Sequence, residues 1–65
     1  MQFRMYDVVR LTRVTRGLAA GAEGTIVMAY EFPREGYEVE FDDRLLTLYP
    51  EDLELVTRWE CGHAP

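Results

Sequence analysis

The chain has 65 residues, a formal net charge of -5 and one cysteine, Cys61, so an internal disulfide is excluded. A chain of this length buries only about 60% of the surface of its unfolded form, and we expect a single domain of marginal stability. No apolar run approaches the roughly 20 residues of a membrane-spanning helix, and Met1 to Asp7 lacks the apolar core of a signal peptide, which together predict a cytoplasmic protein.

The first predicted element is a short strand over residues 6–12, YDVVRLT, whose aromatic and β-branched side chains favour a strand. A basic segment follows, with Arg10, Arg13 and Arg16 at intervals of three residues. Apolar residues at helical spacing make an amphipathic helix one interpretation. Three glycines, each costing about 1 kcal/mol inside a helix, and several β-branched residues favour a long loop instead.

The loop arginines have three interpretations. Residues 1–22 hold four arginines and one acid, whereas residues 23–65 hold three arginines and eleven acids. The loop arginines therefore stay solvated and pair with the chain's own acids, with Glu23, Glu38 and Glu40 as candidates, or they bind a protein partner, or they bind phosphates. Eleven acids on the remaining chain oppose a polyanion, so we rank nucleic acid last.

Three strands are predicted after the loop. GTIVMAY, residues 24–30, is rich in β-forming residues, and YEVEF, residues 37–41, alternates strictly between apolar and acidic side chains, as half-buried strands do. The intervening EFPREG predicts a hairpin loop. Asp42-Asp43-Arg44 predicts a tight turn into a further strand over residues 45–49, so the three strands form a meander.

The last elements are a helical turn and a strand. Pro50-Glu51-Asp52 predicts a single turn, because proline suits the first helical position and acids suit a helix N-terminus. LELV then predicts the final strand. The whole order is typical of an all-β, small five-stranded SH3-like barrel with a long loop after strand 1 and a short helical turn before the last strand, and an OB-fold is the alternative.

The predicted barrel covers residues 6–57. Residues 1–5 are expected to form an N-terminal tail or strand extension, and residues 58–65 a C-terminal tail in which Trp59 is a candidate patch against the barrel.

The alternation also predicts which side chains point inward. Tyr30, Tyr37 and Phe41 share the inward face, whereas Val27 and Leu45 project outward. Apolar residues on the outward face indicate either a closed barrel with covered edges or an exposed patch for a partner or a second copy. The predicted core consists of Val9, Leu11, Ile26, Met28, Val39, Phe41, Leu46, Leu48, Leu53 and Leu55.

Two resemblances follow from these segments. Residues 21–26, GAEGTI, resemble the glycine-containing centre of the KOW motif, in which Gly21 and Gly24 would let the chain bend into the second strand of an SH3-like barrel. Proteins with that motif often bind RNA or other proteins. The chain departs from the ribosomal version at Ala20, where a basic residue is usual.

The second resemblance covers most of residues 6–56. YDVVRLTR, AGAEGTIVMAY, GYEVEFDD and LLTLYPEDLELV together resemble the small bacterial family known as domain of unknown function 4926. The resemblance implies an SH3-like barrel of bacterial or archaeal origin with no established activity. It also implies genes placed beside toxin-like genes, and hence antitoxin-type binding of a partner.

The sequence predicts no enzyme. Cys61 and His63 are the one cysteine and the one histidine, which are too few ligands for structural zinc and lack a rigid pocket for catalysis. The carboxylate pairs Asp42-Asp43 and Glu51-Asp52 stand in turn and cap positions. We therefore expect no catalytic, metal or cofactor-binding residues.

The predicted function is a non-enzymatic protein-binding module, either antitoxin-like or an accessory partner of a neighbouring gene product. Its candidate contacts are Arg10, Arg13, Arg16, Val27 and Leu45. The alternatives are a nucleic-acid-binding module of the KOW type and a homo-oligomer that uses the outward apolar residues.

Overall fold

The structure, a computed structural model, describes residues 1–58, and within that range it holds five strands and one short 3-10 helix. In chain order the strands are β1 (Val8–Leu11), β2 (Glu23–Tyr30), β3 (Gly36–Phe41), β4 (Arg44–Leu48) and β5 (Leu53–Thr57), and the 3-10 helix Pro50–Asp52 precedes β5. The predicted all-β class and order of elements are confirmed. The predicted tail, apart from Arg58, lies outside the described residues.

All five strands belong to one antiparallel sheet in the order β4-β3-β2-β1-β5. The two-residue turn Asp42-Asp43 joins β3 to β4, with Phe41 paired to Arg44. The 3-10 helix then carries the chain from β4 to β5, on the far side of β1. The sheet is open, since β4 and β5 form its two edges.

The first strand is shorter than predicted. Tyr6 was expected to begin it, but its φ is +72°, and this left-handed conformation is incompatible with a strand. The strand therefore begins at Val8. The backbone at Tyr6 is nevertheless tied to the sheet, because its N–H donates to the carbonyl of Ile26 over 2.7 Å.

One face of the sheet carries the hydrophobic core. Every strand contributes to it, and so does the N-terminal segment. Leu46 is half-buried and packs against this core. The buried apolar residues are Phe3, Val9, Leu11, Ile26, Tyr37, Val39, Phe41, Leu48 and Leu53.

A β-bulge in β2 overturns the predicted inward position of Met28 and Tyr30. Ile26 pairs with Val39 and Met28 pairs with Glu38, so Val27 is an extra residue without a partner on β3. Because one extra residue shifts the two-residue period of a strand, Ala29 packs on the core while Met28 and Tyr30 are 46% and 37% exposed.

The predicted core position of Leu55 is also wrong. The residue pairs with Val9, and yet its side chain is 41% exposed. Leu53 on the same strand is 3% exposed, so the difference arises locally. The register with β1 shifts directly after Leu55, since Val9 pairs with Leu55 but Val8 pairs with Thr57, and the extra residue Val56 distorts the strand there.

Phe3 belongs to the core, although residues 1–5 were predicted to form an N-terminal tail or strand extension. Residues 1–5 form no strand, but the Phe3 ring is 2% exposed and packs edge-on against Tyr37, with ring centroids 5.3 Å apart. The hydroxyl of Tyr37 accepts hydrogen bonds from the backbone N–H groups of Gln2 and Phe3 over 3.1 and 3.0 Å. The N-terminal segment is thereby attached to β3.

The two glycines assigned to a bend into β2 serve different purposes. Gly21 has a φ of +90°, the left-handed region that glycine adopts without steric cost. Gly24 lies inside β2 and does not share that conformation. A Cβ atom there would come within 2.7 Å of Val39 Cγ1 and 2.8 Å of the carbonyl oxygen of Glu40, so Gly24 permits the close approach of β2 and β3 rather than a bend.

Candidate interaction surface

The segment between β1 and β2 is a loop, as the glycines predicted, and it holds no helix. Its tip is a tight turn closed by reciprocal backbone hydrogen bonds between Thr15 and Leu18. The two central residues, Arg16 and Gly17, have φ values of +52° and +85°, and a type I′ hairpin turn requires a positive φ at both of these positions. Leu18 packs against the core, which anchors this loop to the sheet.

Of Arg10, Arg13 and Arg16, the first two form ion pairs within the chain. Arg10 Nε lies 2.6 Å from Glu54 Oε1, and Arg13 Nη2 lies 2.6 Å from Asp52 Oδ1. The acids that bind them thus belong to the 3-10 helix and β5, and Glu23, Glu38 and Glu40, the candidates from the sequence, are not involved.

The Arg13 pair fastens the loop to the 3-10 helix. Asp52 is buried, and its second carboxylate oxygen accepts a hydrogen bond from the N–H of Tyr49 over 3.1 Å. The backbone N–H of Thr12 also donates to the carbonyl of Asp52, over 2.9 Å. Because Arg13 itself is largely exposed, the pair adds on the order of 0.5 kcal/mol after solvent screening.

Arg16 differs from the other two. Its backbone carbonyl accepts a hydrogen bond from Arg44 Nη1 over 3.1 Å, while its own guanidinium makes no ion pair with residues 1–58. Arg10 therefore lies on β1, Arg13 beside the 3-10 helix and Arg16 at the loop tip. The structure does not gather the three into one phosphate-binding cluster.

Asp7 is a buried carboxylate that the sequence did not single out. Its Oδ2 atom accepts hydrogen bonds from the N–H of Arg4 over 2.9 Å and pairs with Arg58 Nη2 over 3.1 Å. The other oxygen, Oδ1, has no hydrogen-bond partner, and neither has Arg58 Nε. Arg58, directly after β5, also donates to the carbonyl of Gln2, so this group links the residue that follows β5 to the N-terminal segment.

Glu35 and Tyr37 form a second polar group at the same end of the sheet. The Tyr37 hydroxyl donates to Glu35 Oε2, and the N–H of Gln2 donates to the same oxygen over 2.9 Å. These hydrogen bonds, that of Tyr37 first, hold the pKa of Glu35 below its ordinary value. Burial, and then the hydrogen bond to Glu35, raise the pKa of Tyr37.

Replacing Tyr37 by phenylalanine is expected to make the melting temperature fall less steeply as the pH rises into the alkaline range. A group whose pKa is higher in the folded chain stabilises it fully below the unfolded pKa, and this stabilisation is lost as the pH rises through the folded value. For Tyr37 the loss begins above its ordinary value of 10.0. Thermal melts of both chains from about pH 8 to 12 measure it, and parallel curves for the two chains would contradict the assignment.

The outer face of the sheet, opposite the core, carries the residues of most interest for binding. We define it by Met28 and Tyr30 of β2, Glu38 and Glu40 of β3, and Leu45 of β4. Leu45, predicted to project outward, is 53% exposed and pairs with Glu40. Val27, the other predicted outward residue, is half-buried in the bulge. Met28 and Tyr30 were predicted to face inward because the sequence pattern does not reveal the bulge. The alternating acids of YEVEF correctly predicted the outer side of β3.

An acidic groove adjoins the outer face. It has a volume of about 310 Å³ and is lined by Val8, Glu23, Gly24, Thr25, Glu40 and Asp42. No arginine of residues 1–58 lies within ion-pair distance of these carboxylates. The outer face and its groove therefore combine exposed apolar side chains with uncompensated negative charge.

Neither a metal site nor a membrane helix emerges from the described residues. Across residues 1–58 no group of three acidic, histidine or cysteine side chains is placed to hold a metal ion, and no helix there is long and apolar enough to cross a membrane. Trp59, Cys61 and His63 lie outside the described range.

The fold and this surface define a small all-β protein with five antiparallel strands in one sheet. The family described as domain of unknown function (DUF4926) matches residues 5–55, most of the chain, and the protein belongs to that family. No curated protein and no solved structure matches it.

Proposed function

We propose that this protein is a non-enzymatic protein-binding module. The observation that carries the proposal is the outer face, where Met28 and Tyr30 of β2 and Leu45 of β4 expose 46%, 37% and 53% of their surface on either side of β3. Apolar side chains grouped in this way mark partner sites more often than isolated ones do. The protein acts as an antitoxin-like or accessory partner of a neighbouring gene product, as the family resemblance implies.

We further propose that the sheet curls into a partly open SH3-like barrel. Three features support this: the order β4-β3-β2-β1-β5, the 3-10 helix directly before β5, and a single core to which all five strands contribute. In a barrel of this kind the convex outer side of the meander stays available to a partner.

Nucleic-acid binding of the KOW type has weaker support. Arg10 and Arg13 are already paired with Glu54 and Asp52, so phosphate contacts would have to displace these carboxylates. The uncompensated acids of the outer face and groove would repel a polyanion as well. The homo-oligomer is also less favoured, because a symmetric contact through the outer face would set Glu38 and Glu40 against the same acids of the second copy.

Co-purification with two paired variants tests the function. We expect a tagged chain from its native host to retain a protein partner, the variant Met28→Asp with Leu45→Asp to lose it, and the variant Arg13→Ala with Arg16→Ala to keep it. Both pairs change exposed side chains, and circular dichroism checks that each variant is folded.

A binding titration with short RNA and DNA at two salt concentrations tests the nucleic-acid alternative. Tight binding that weakens steeply with salt and disappears in the loop variant would establish the KOW-type alternative. Native mass spectrometry at micromolar concentration separates the third candidate, since a stable dimer lost with Met28→Asp and Leu45→Asp would show that the face binds a second copy.

A further inference from the structure

The outer face has a regular chemical pattern across its strands. One cross-strand row runs from Val8 through Thr25 and Glu40 to Leu45, and a second runs from Met28 through Glu38 to Thr47. In each row a glutamate of β3 stands beside an exposed apolar residue of β2 or β4. The pattern therefore alternates charge and apolar surface over a few ångströms.

The charge of this face is not neutralised from within. None of the ion pairs that arginines form within residues 1–58 involves Glu38 or Glu40. Arg34, for example, donates two hydrogen bonds to Glu51, over 2.9 and 3.0 Å, and stacks on Tyr49 at 4.0 Å. A hydrogen bond to Glu38, then burial, then the charge of Glu38 raise the pKa of Tyr30. Glu38 is half-buried.

The spacing of the two glutamates indicates the shape of a ligand. Glu38 and Glu40 are two residues apart on one strand, a separation of about 6.8 Å. Alternate side chains of an extended peptide have the same separation. An extended segment lying along β3 would place every second side chain over a glutamate.

We infer that the outer face binds an extended, cationic segment of a partner protein, in which lysine or arginine alternates with apolar or small residues. This rests on the proposed function and specifies its partner. The basic side chains pair with Glu38 and Glu40, and their aliphatic stems pack on Met28 and Leu45, which are the cross-strand neighbours of these two glutamates. The intervening side chains of the segment point away from the sheet. A second copy or a nucleic acid would bring negative charge to the same acids, which is why the charge favours a basic protein segment.

Three synthetic peptides of equal length test the inference by nuclear magnetic resonance titration of the full chain. The first alternates lysine with valine and threonine, the second has the same composition with its lysines contiguous, and the third replaces lysine by glutamate. We expect saturable binding of the first, with shifted amides on β2, β3 and β4, weaker binding of the second and none of the third. Raising the salt concentration should weaken the first complex.

Matched variants locate the binding. Glu38→Gln with Glu40→Gln should weaken the alternating peptide about tenfold, since each lost ion pair contributes up to about 1 kcal/mol. Glu31→Gln with Asp43→Asn removes the same charge from exposed loop and turn positions and should change the affinity less than about twofold. Equal losses in both variants, amide shifts confined to residues 12–22, or no binding would overturn the inference.

Co-purification with the Glu38→Gln, Glu40→Gln variant distinguishes failure of this inference from failure of the proposed function on which it rests. Retention of that partner by the Glu38→Gln, Glu40→Gln variant, together with its loss in the Met28→Asp, Leu45→Asp variant, would overturn the cationic ligand and leave the protein-binding function standing. Loss of the partner in both variants supports the two together.

Discussion

Gly24→Val is expected to destabilise the protein by about 3 kcal/mol or more. The first carbon of the new side chain would lie 2.7 Å from Val39 Cγ1 and 3.0 Å from Phe41 Cδ1, and its contact with the Glu40 carbonyl would be with backbone, which cannot turn aside. Because domains are stabilised by only about 0.05–0.15 kcal/mol per residue, this loss is comparable with the whole stability of the chain. Urea denaturation followed by circular dichroism measures it.

Gly21→Ala is the matched control. No atom lies within 4 Å of a Cβ placed there, so its cost comes from the left-handed φ of +90° alone and should be about 1–2 kcal/mol. A Gly24→Val chain with an unchanged melting temperature would contradict the close packing of β2 on β3. Equal losses at the two positions would indicate that Gly24 serves the backbone conformation instead.

Phe3→Ala is expected to cost about 3 kcal/mol, at the lower end for a buried phenylalanine because the N-terminal segment has room to collapse. The ring packs edge-on against Tyr37. Phe32→Ala provides the same chemical change at a side chain that is 84% exposed and should alter the free energy of unfolding by less than about 0.5 kcal/mol.

Chemical denaturation of the two phenylalanine variants decides whether residues 1–5 are part of the folded unit. Similar midpoints for Phe3→Ala and Phe32→Ala would mean that the N-terminal segment contributes nothing to stability. Hydrogen exchange gives an independent check, because the N–H groups of Gln2 and Phe3, which donate to Tyr37, should be protected in the wild-type chain.

Local pattern was sufficient to predict the strands. The strict alternation of YEVEF, the tight turn after it and the proline at the start of the 3-10 helix each depend on neighbours in sequence, and all three features are found. The turn is one residue shorter than predicted, because Arg44 pairs with Phe41 and begins β4. The placement of Phe3 could not be predicted in this way. Its partner Tyr37 is more than thirty residues away. The alternation of apolar and polar residues in MQFRM does not separate Phe3 from Met1 and Met5, which are 57% and 44% exposed.

The pairing of the arginines escaped prediction for a similar reason. Arg10 and Arg13 are neighbours of Glu54 and Asp52 only because β5 and the 3-10 helix return beside β1, which is a property of the topology. Spacing in sequence suggested a single basic stripe. In the structure the three side chains lie on a strand, beside the 3-10 helix and at the loop tip. The candidate interaction surface is therefore the outer face of the sheet and not the arginines.

The bulge at Val27 also has a consequence for comparing related chains. Without Val27, residues Ile26, Met28, Ala29 and Tyr30 would alternate regularly and keep the same faces that they occupy now. A relative shorter by one residue at this point would therefore present the same surface on a less bent strand, and an alignment that places the gap elsewhere in β2 would exchange its core and surface positions. Val27 is thus the position at which the length of this strand can vary in evolution or design without altering what the protein displays.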